Sequence, residues 1–200
     1  MALLSALSMG AAIFLQVRFF LKKETSPSIV TWSMFWVAVT ISFLTFFRTH
    51  EGGLVTNITN TTDMVGVSVM IVVLAVWGGK DAFQFEASDL LCFLGLGMIL
   101  TYWFVYQNDW ATNLATQSIL TLAYIPTFVK MWRKAKAGRK SESAIAWSCT
   151  LSQSLTGLAV ARMDGGFLST IYAGRSTILI ATLLGFTAYL RRRYPRNIEE

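Results

Sequence analysis

One histidine and two cysteines leave little for covalent or metal chemistry. His50 stands alone in a loop, and Cys92 and Cys149 fall inside apolar runs with no CxxC or Cys/His cluster beside them. They read as small buried hydrophobes. No nucleophile, base or metal constellation is visible, so no catalytic residue, metal ligand or cofactor is expected, and the chain does not read as an enzyme. What stands out is polar residues in apolar surroundings. Asn113, Thr116, Gln117, Thr121 and Tyr124 share one helical face. Such a stripe must face protein or water rather than lipid. Its amides offer both donors and acceptors to a hydrophilic solute. Alternatively they bond neighbouring helices, at about 0.6–2 kcal/mol per contact.

Further candidates follow the same logic. Gln153 lies beside Ser148, Ser152 and Thr156, whose four-residue spacing suits close helix packing. Gln153 is the better solute contact. Trp32 and Trp36 share a face, and a tryptophan ring can stack on a solute or enclose a cation. Trp32 and Trp147 sit near helix ends and read as interfacial anchors, which leaves Trp36, one turn deeper, as the pocket candidate. Trp77, Trp103, Trp110 and Trp132 also read as anchors. Arg175 is the formal charge well inside an apolar run. It can snorkel, pair with Asp164 or Asp109, or hold an anionic group of a solute.

These residues need a membrane-embedded scaffold. Apolar residues make up 54% of the 200 and charged residues 14%, against about 25% in soluble chains. Mean hydropathy is +0.52. So few charges cannot cover a soluble surface, and the same figures exclude disorder, collagen, coiled coil and a disulfide scaffold. The net charge of +6 suits basic cytoplasmic loops better than nucleic acid, which is not expected as a partner. The first twenty residues lack a basic region before their apolar stretch and read as a first membrane helix, not a signal peptide.

At about 20 apolar residues per span, seven segments qualify: 2–21, 28–47, 63–79, 88–107, 111–131, 143–162 and 168–190. No strand-type alternation points to a barrel. With the N-terminus outside, fourteen of the 17 Lys and Arg fall on the inner side, leaving Arg48, Arg162 and Arg175 outside. No Asp or Glu falls in the middle of any span, so facilitated diffusion is simpler than a proton relay or sodium site. The sequons at Asn57 and Asn60 read as an outer loop. No lysine lies deep in span seven, which excludes a retinal protein.

The sequence also repeats. Ser26-Pro-Ser-Ile-Val-Thr-Trp32-Ser33 enters span two, and Ser141-Glu-Ser-Ala-Ile-Ala-Trp147-Ser148 enters span six. Each follows an apolar helix ending in basic residues. The expected architecture is therefore an all-α membrane protein of seven transmembrane helices. Two parallel three-helix repeats, 1–79 and 109–200, are joined by a linker helix in 80–108, with the N-terminus outside and the C-terminus cytoplasmic.

That arrangement resembles the SWEET, PQ-loop and nicotinamide-riboside (PnuC-type) transporter group. The likeness covers nearly the whole chain in topology and the first two helices of each half in motif. PQ-loop proteins carry a Pro-Gln pair in the first helix of each repeat. Here Tyr124-Ile-Pro126-Thr127 keeps the proline and Leu15-Gln16 keeps the glutamine. The resemblance implies a solute site between two three-helix bundles that rock about a hinge, with Pro126 and Gln16 at the hinge positions. SWEET-type sugar carriers place Asn in the third helix of each half. Spans three and seven contain none, which argues against sugar. The expected function is a small-solute transporter or facilitator in a bilayer, by default a bacterial inner membrane. Trp36, Asn113, Gln117, Tyr124, Gln153 and Arg175 are its candidate solute contacts. The alternative is a non-transporting scaffold, receptor or subunit of a membrane complex; a homo-oligomer is compatible with either.

Overall fold

Long apolar runs bounded by cap residues produce eight α-helices, and no strand, among the described residues. In chain order they are α1 (Ala2–Leu21), α2 (Ile29–Arg48), α3 (Ile58–Trp77), α4 (Ala87–Tyr106), α5 (Asp109–Leu122), α6 (Tyr124–Lys136), α7 (Ala144–Met163) and α8 (Phe167–Arg193). The structure, a computed structural model, describes residues 1–23, 25, 27, 29–50, 52–79, 83, 87–137 and 143–194. Ser26, Lys80, Arg139, Lys140, Ser141 and Arg196, used above for the repeat and the charge bias, lie outside the described residues. So do the side chains of Cys92, Pro126 and Lys130.

Local chemistry explains several boundaries. The Asn108 side chain accepts from the Ala111 amide at 3.0 Å and caps α5, with Asp109 favourably placed in the first turn. Ser143 caps α7 in the same way, accepting from the Ala146 amide at 3.2 Å. At the other end of α7, Gly165 takes a φ of 74° and the Gly166 amide reaches back to the Ala161 carbonyl at 3.1 Å. That is a Schellman turn, and its left-handed position calls for glycine.

Two expected spans are corrected. The segment 111–131 is not one helix: it breaks at Ala123 into α5 and α6. Pro126 has no N–H for the Leu122 carbonyl four residues earlier, so one helix hydrogen bond is missing there. The third helix begins at Ile58, five residues before the expected start at 63. Threonines make the earlier start feasible. Thr61 and Thr62 donate to the Asn57 and Ile58 carbonyls at 3.0 and 2.8 Å, hiding their hydroxyls against the helix. Asp63 and Asn60 therefore lie inside α3, against the expectation of no internal carboxylate and no asparagine in that span. Both sequon asparagines are buried, Asn57 at 2% and Asn60 at 1% exposure, so neither is presented for modification.

Four helices, α1, α2, α3 and α8, are long and apolar enough to cross a membrane. The Phe93–Tyr106 part of α4 is apolar but shorter. Packing follows a pattern. In the first half α3 touches both α1 and α2, and in the second α8 touches α5, α6 and α7. Across the halves, α1 packs on α7 and α2 on α5, while α4 lies against α5 and α2.

Candidate functional site

The halves enclose a cavity of about 160 Å³ with walls from every helix except α4. Thr25 and Pro27, between α1 and α2, form its rim with Lys134 near the end of α6 and Ser143 at the start of α7. Four aromatic rings run around the wall. Trp32 and Phe35 have centroids 6.5 Å apart, Phe35 meets Tyr124 edge-on at 5.7 Å, and Tyr124 lies 6.3 Å from Trp147. Trp32 and Trp147, the tryptophans of the two similar sequence stretches, both line this one space.

The deep part of the cavity is polar. Asp63 accepts from the Tyr172 hydroxyl at 2.8 Å and from Gln153 Nε2 at 3.2 Å. Arg175 lies over the Tyr172 ring, 4.8 Å from its centroid, and donates to Ser176 Oγ at 3.1 Å. Its Nε is buried with no partner. Arg175 pairs with neither expected carboxylate. Asp109 is taken by Arg48 at 3.2 Å, and Asp164 accepts from Thr56 at 3.1 Å. Asp63 and Arg175, which both line the cavity, form no ion pair with each other.

Beyond the deep end, the helices are fastened by hydrogen bonds. Ser5 of α1 donates to the Gln153 carbonyl at 3.1 Å, and Ser8 meets Ser152 at 3.3 Å. On the opposite interface, Ser42 Oγ accepts from Gln117 at 2.9 Å and from Asn60 at 3.1 Å. Asn113 donates to the Ser42 carbonyl at 2.8 Å and to Thr45 at 2.9 Å. Close approach assists. A Cβ on Gly157 would sit on the Thr59 hydroxyl, so α7 and α3 touch here only because residue 157 has no side chain.

The sequence candidates therefore separate. Tyr124, Arg175 and Gln16 line the cavity, the Gln16 Oε1 being buried without a partner. Gln153 stands behind the wall and holds Asp63. Asn113 and Gln117 are not cavity residues: they are buried at 1% and 5% exposure in the α2–α5 interface. Trp36 is corrected as well, lying outside the cavity at 37% exposure with its indole N–H on Ser68 Oγ at 3.0 Å. Pro126 follows the break at Ala123, in the first turn of α6. Sequence reasoning missed Asp63, Tyr172 and the cavity role of the paired tryptophans. The similarity of the octets Ser26–Ser33 and Ser141–Ser148, which contain Trp32 and Trp147, was the available signal for the last.

Two predictions follow from these placements. Asn113→Leu should lower stability by about 1–3 kcal/mol, because Thr45 and Ser42 lose a buried donor, without touching a ligand. Thermal unfolding in detergent checks it; a full loss of ligand binding with unchanged stability would put Asn113 back in the site. Trp36→Phe should cost about 1 kcal/mol and leave ligand affinity intact, as a titration on the folded variant can establish.

Comparison with protein-family models, curated proteins and solved structures finds no match to this chain.

Proposed function

We propose that this protein is a small-solute transporter of seven membrane spans, working by alternating access between two three-helix repeats joined by α4. The observation that carries this reading is the cavity: charged and aromatic at once, set between the halves, open at one end and fastened at the other. The packing pattern supports the repeat. A third helix bridges the other two in each half, and the first helix of each half pairs with the second helix of the other. The reading takes α5 and α6 as one broken span and counts α4 and α7, the latter packed on α1, α3 and α8, as two more beside the four long apolar helices, which makes seven.

The charge bias assigns the sides. Arg18, Lys22, Lys23, Arg133, Lys134, Lys136 and Arg191 to Arg193 lie at the rim end of their helices, which makes that end cytoplasmic. The cavity is then inward-open, and the hydrogen bonds around Ser8–Ser152 and Ser42–Asn113 form the closed outer gate. Transport requires that gate to part. Neutral hydroxyl and amide contacts of about 0.6–2 kcal/mol each suit a reversible closure. The break at Ala123 supplies a bend for the α5–α6 limb. A bacterial inner membrane remains the proposed location.

Thermal stability of the purified protein against sugars, nucleosides, vitamins, amino acids and organic ions tests the site. A true ligand at about 100 times its dissociation constant stabilises by roughly 2.7 kcal/mol. Trp147→Ala should erase that shift. A flat panel together with a stoichiometric co-purifying partner would favour a membrane-complex subunit instead.

A further inference from the structure

We propose, on the basis of the transporter reading above, that the solute is a dipolar ion: a molecule carrying an amino-type cation and a carboxylate-type anion near one end, with a flat or apolar body. The argument begins with charge. Asp63 presents a carboxylate to the cavity, and its protein partners, Tyr172 and Gln153, are neutral donors that leave its charge uncompensated by contact. Arg175 presents a guanidinium whose Nε is buried and unpartnered. The two line the same cavity without forming an ion pair. A carboxylate ligand supplies the acceptor that Arg175 lacks, and a planar guanidinium suits that geometry.

The signs then discriminate among ligands. Asp63 and Arg175 together contribute no net charge. A singly charged solute that displaces water would satisfy one of them and strand the other in a drier space, which is costly. An uncharged solute would leave both without a contact partner, offset only by each other's field across the cavity. A dipolar ion satisfies both at once and brings no net charge of its own. The rest of the molecule would meet Trp32, Phe35, Tyr124 and Trp147, whose faces accept a flat or aliphatic body.

Four indole compounds separate the contributions: L-tryptophan, tryptamine, indole-3-propionate and indole, titrated against the full chain in lipid nanodiscs. L-tryptophan is expected to bind at least ten-fold tighter than either singly charged analogue, and indole weakest. Asp63→Asn should reverse the order in favour of indole-3-propionate. Arg175→Gln should reverse it in favour of tryptamine, and Arg175→Lys should keep the original order. Both reversals are changes of rank within folded, monodisperse protein, so a general loss of stability cannot mimic them. Equal binding of tryptamine or indole-3-propionate with tryptophan, a uniform loss across all four in the variants, or binding of none would overturn the proposal. The transporter reading fails separately, by reaction of a cavity cysteine with an impermeant reagent from one membrane face alone.

Discussion

Replacing Asp63 with leucine should be among the most damaging single changes in the protein. The substitution removes the acceptor for the Tyr172 hydroxyl and for one contact of the Gln153 amide, and leaves Arg175 facing the cavity without a compensating charge. Each stranded buried polar group costs about 1–3 kcal/mol. A loss near 3 kcal/mol is expected, since Gln153 keeps Thr62 at 2.9 Å as an alternative partner. Ligand stabilisation should vanish with it. Asp63→Asn retains an acceptor for Tyr172 and should cost about 1 kcal/mol while still abolishing recognition of a cation. Unfolding followed by tryptophan fluorescence separates the two variants. Equal stability of wild type and Asp63→Leu would mean that the carboxylate does not organise the deep end of the cavity.

Gly157→Leu is the second large effect. A Cβ at this position would lie on Thr59 Oγ1 and 3.2 Å from Thr59 Cβ, with the Thr59 backbone nitrogen at 3.5 Å behind it. Relief requires α7 to move away from α3, which pulls Gln153 off Thr62 and Asp63. Overpacking alone costs about 1–3 kcal/mol, and the lost hydrogen bonds add to it. We expect poor recovery of folded protein. The milder Gly157→Ala should be substantially rescued by Thr59→Ala, because the second change removes the atom struck by the first. A double-mutant cycle measures that coupling. Additive losses would mean that the two residues do not share the contact.

The sequence carried the helices more clearly than the site. Apolar runs placed α1, α2 and α7 within about a residue of their observed limits. Hydropathy failed at α3, because Asn57-Ile-Thr-Asn-Thr-Thr-Asp63 looks like a polar loop. Threonines that bond their own helix carbonyls let this stretch remain helical, so the internal carboxylate was hidden by the same residues that make it tolerable. The polar face from Asn113 to Tyr124 was legible as a buried face, but periodicity does not say what a face meets. Its upper part, Asn113 and Gln117, meets Ser42 and Thr45. Its lower part divides: Tyr124 meets the cavity, whereas Thr121 is exposed and donates to the Gln117 carbonyl of its own helix at 2.8 Å. Trp36 looked deeper than Trp32 along the helix, yet depth is not direction: the four-residue step leaves it turned outward, against Ser68.

The proposed gate makes a further demand on the chain. The Arg48–Asp109 ion pair, reinforced by Trp103 donating to Asp109 at 2.7 Å, fastens α4 to the ends of α2 and α5. With the Arg48 side chain half exposed, the pair is worth only about 0.2–1 kcal/mol. The pair itself joins α2 to α5, so a gate that opens between these helices must break it, at that small cost.

Two-sided accessibility of the cavity tests the central claim most directly. Thr150 lines the cavity at 8% exposure, one turn from Trp147. A single cysteine there, with Cys92 and Cys149 replaced by serine, can be exposed to a membrane-impermeant maleimide in right-side-out and in inverted vesicles. Alternating access predicts fast reaction from the cytoplasmic face and a slower, measurable reaction from the outer face. Reaction from the cytoplasmic face alone, however long the exposure, would contradict a transporter and leave a bundle with a one-sided pocket.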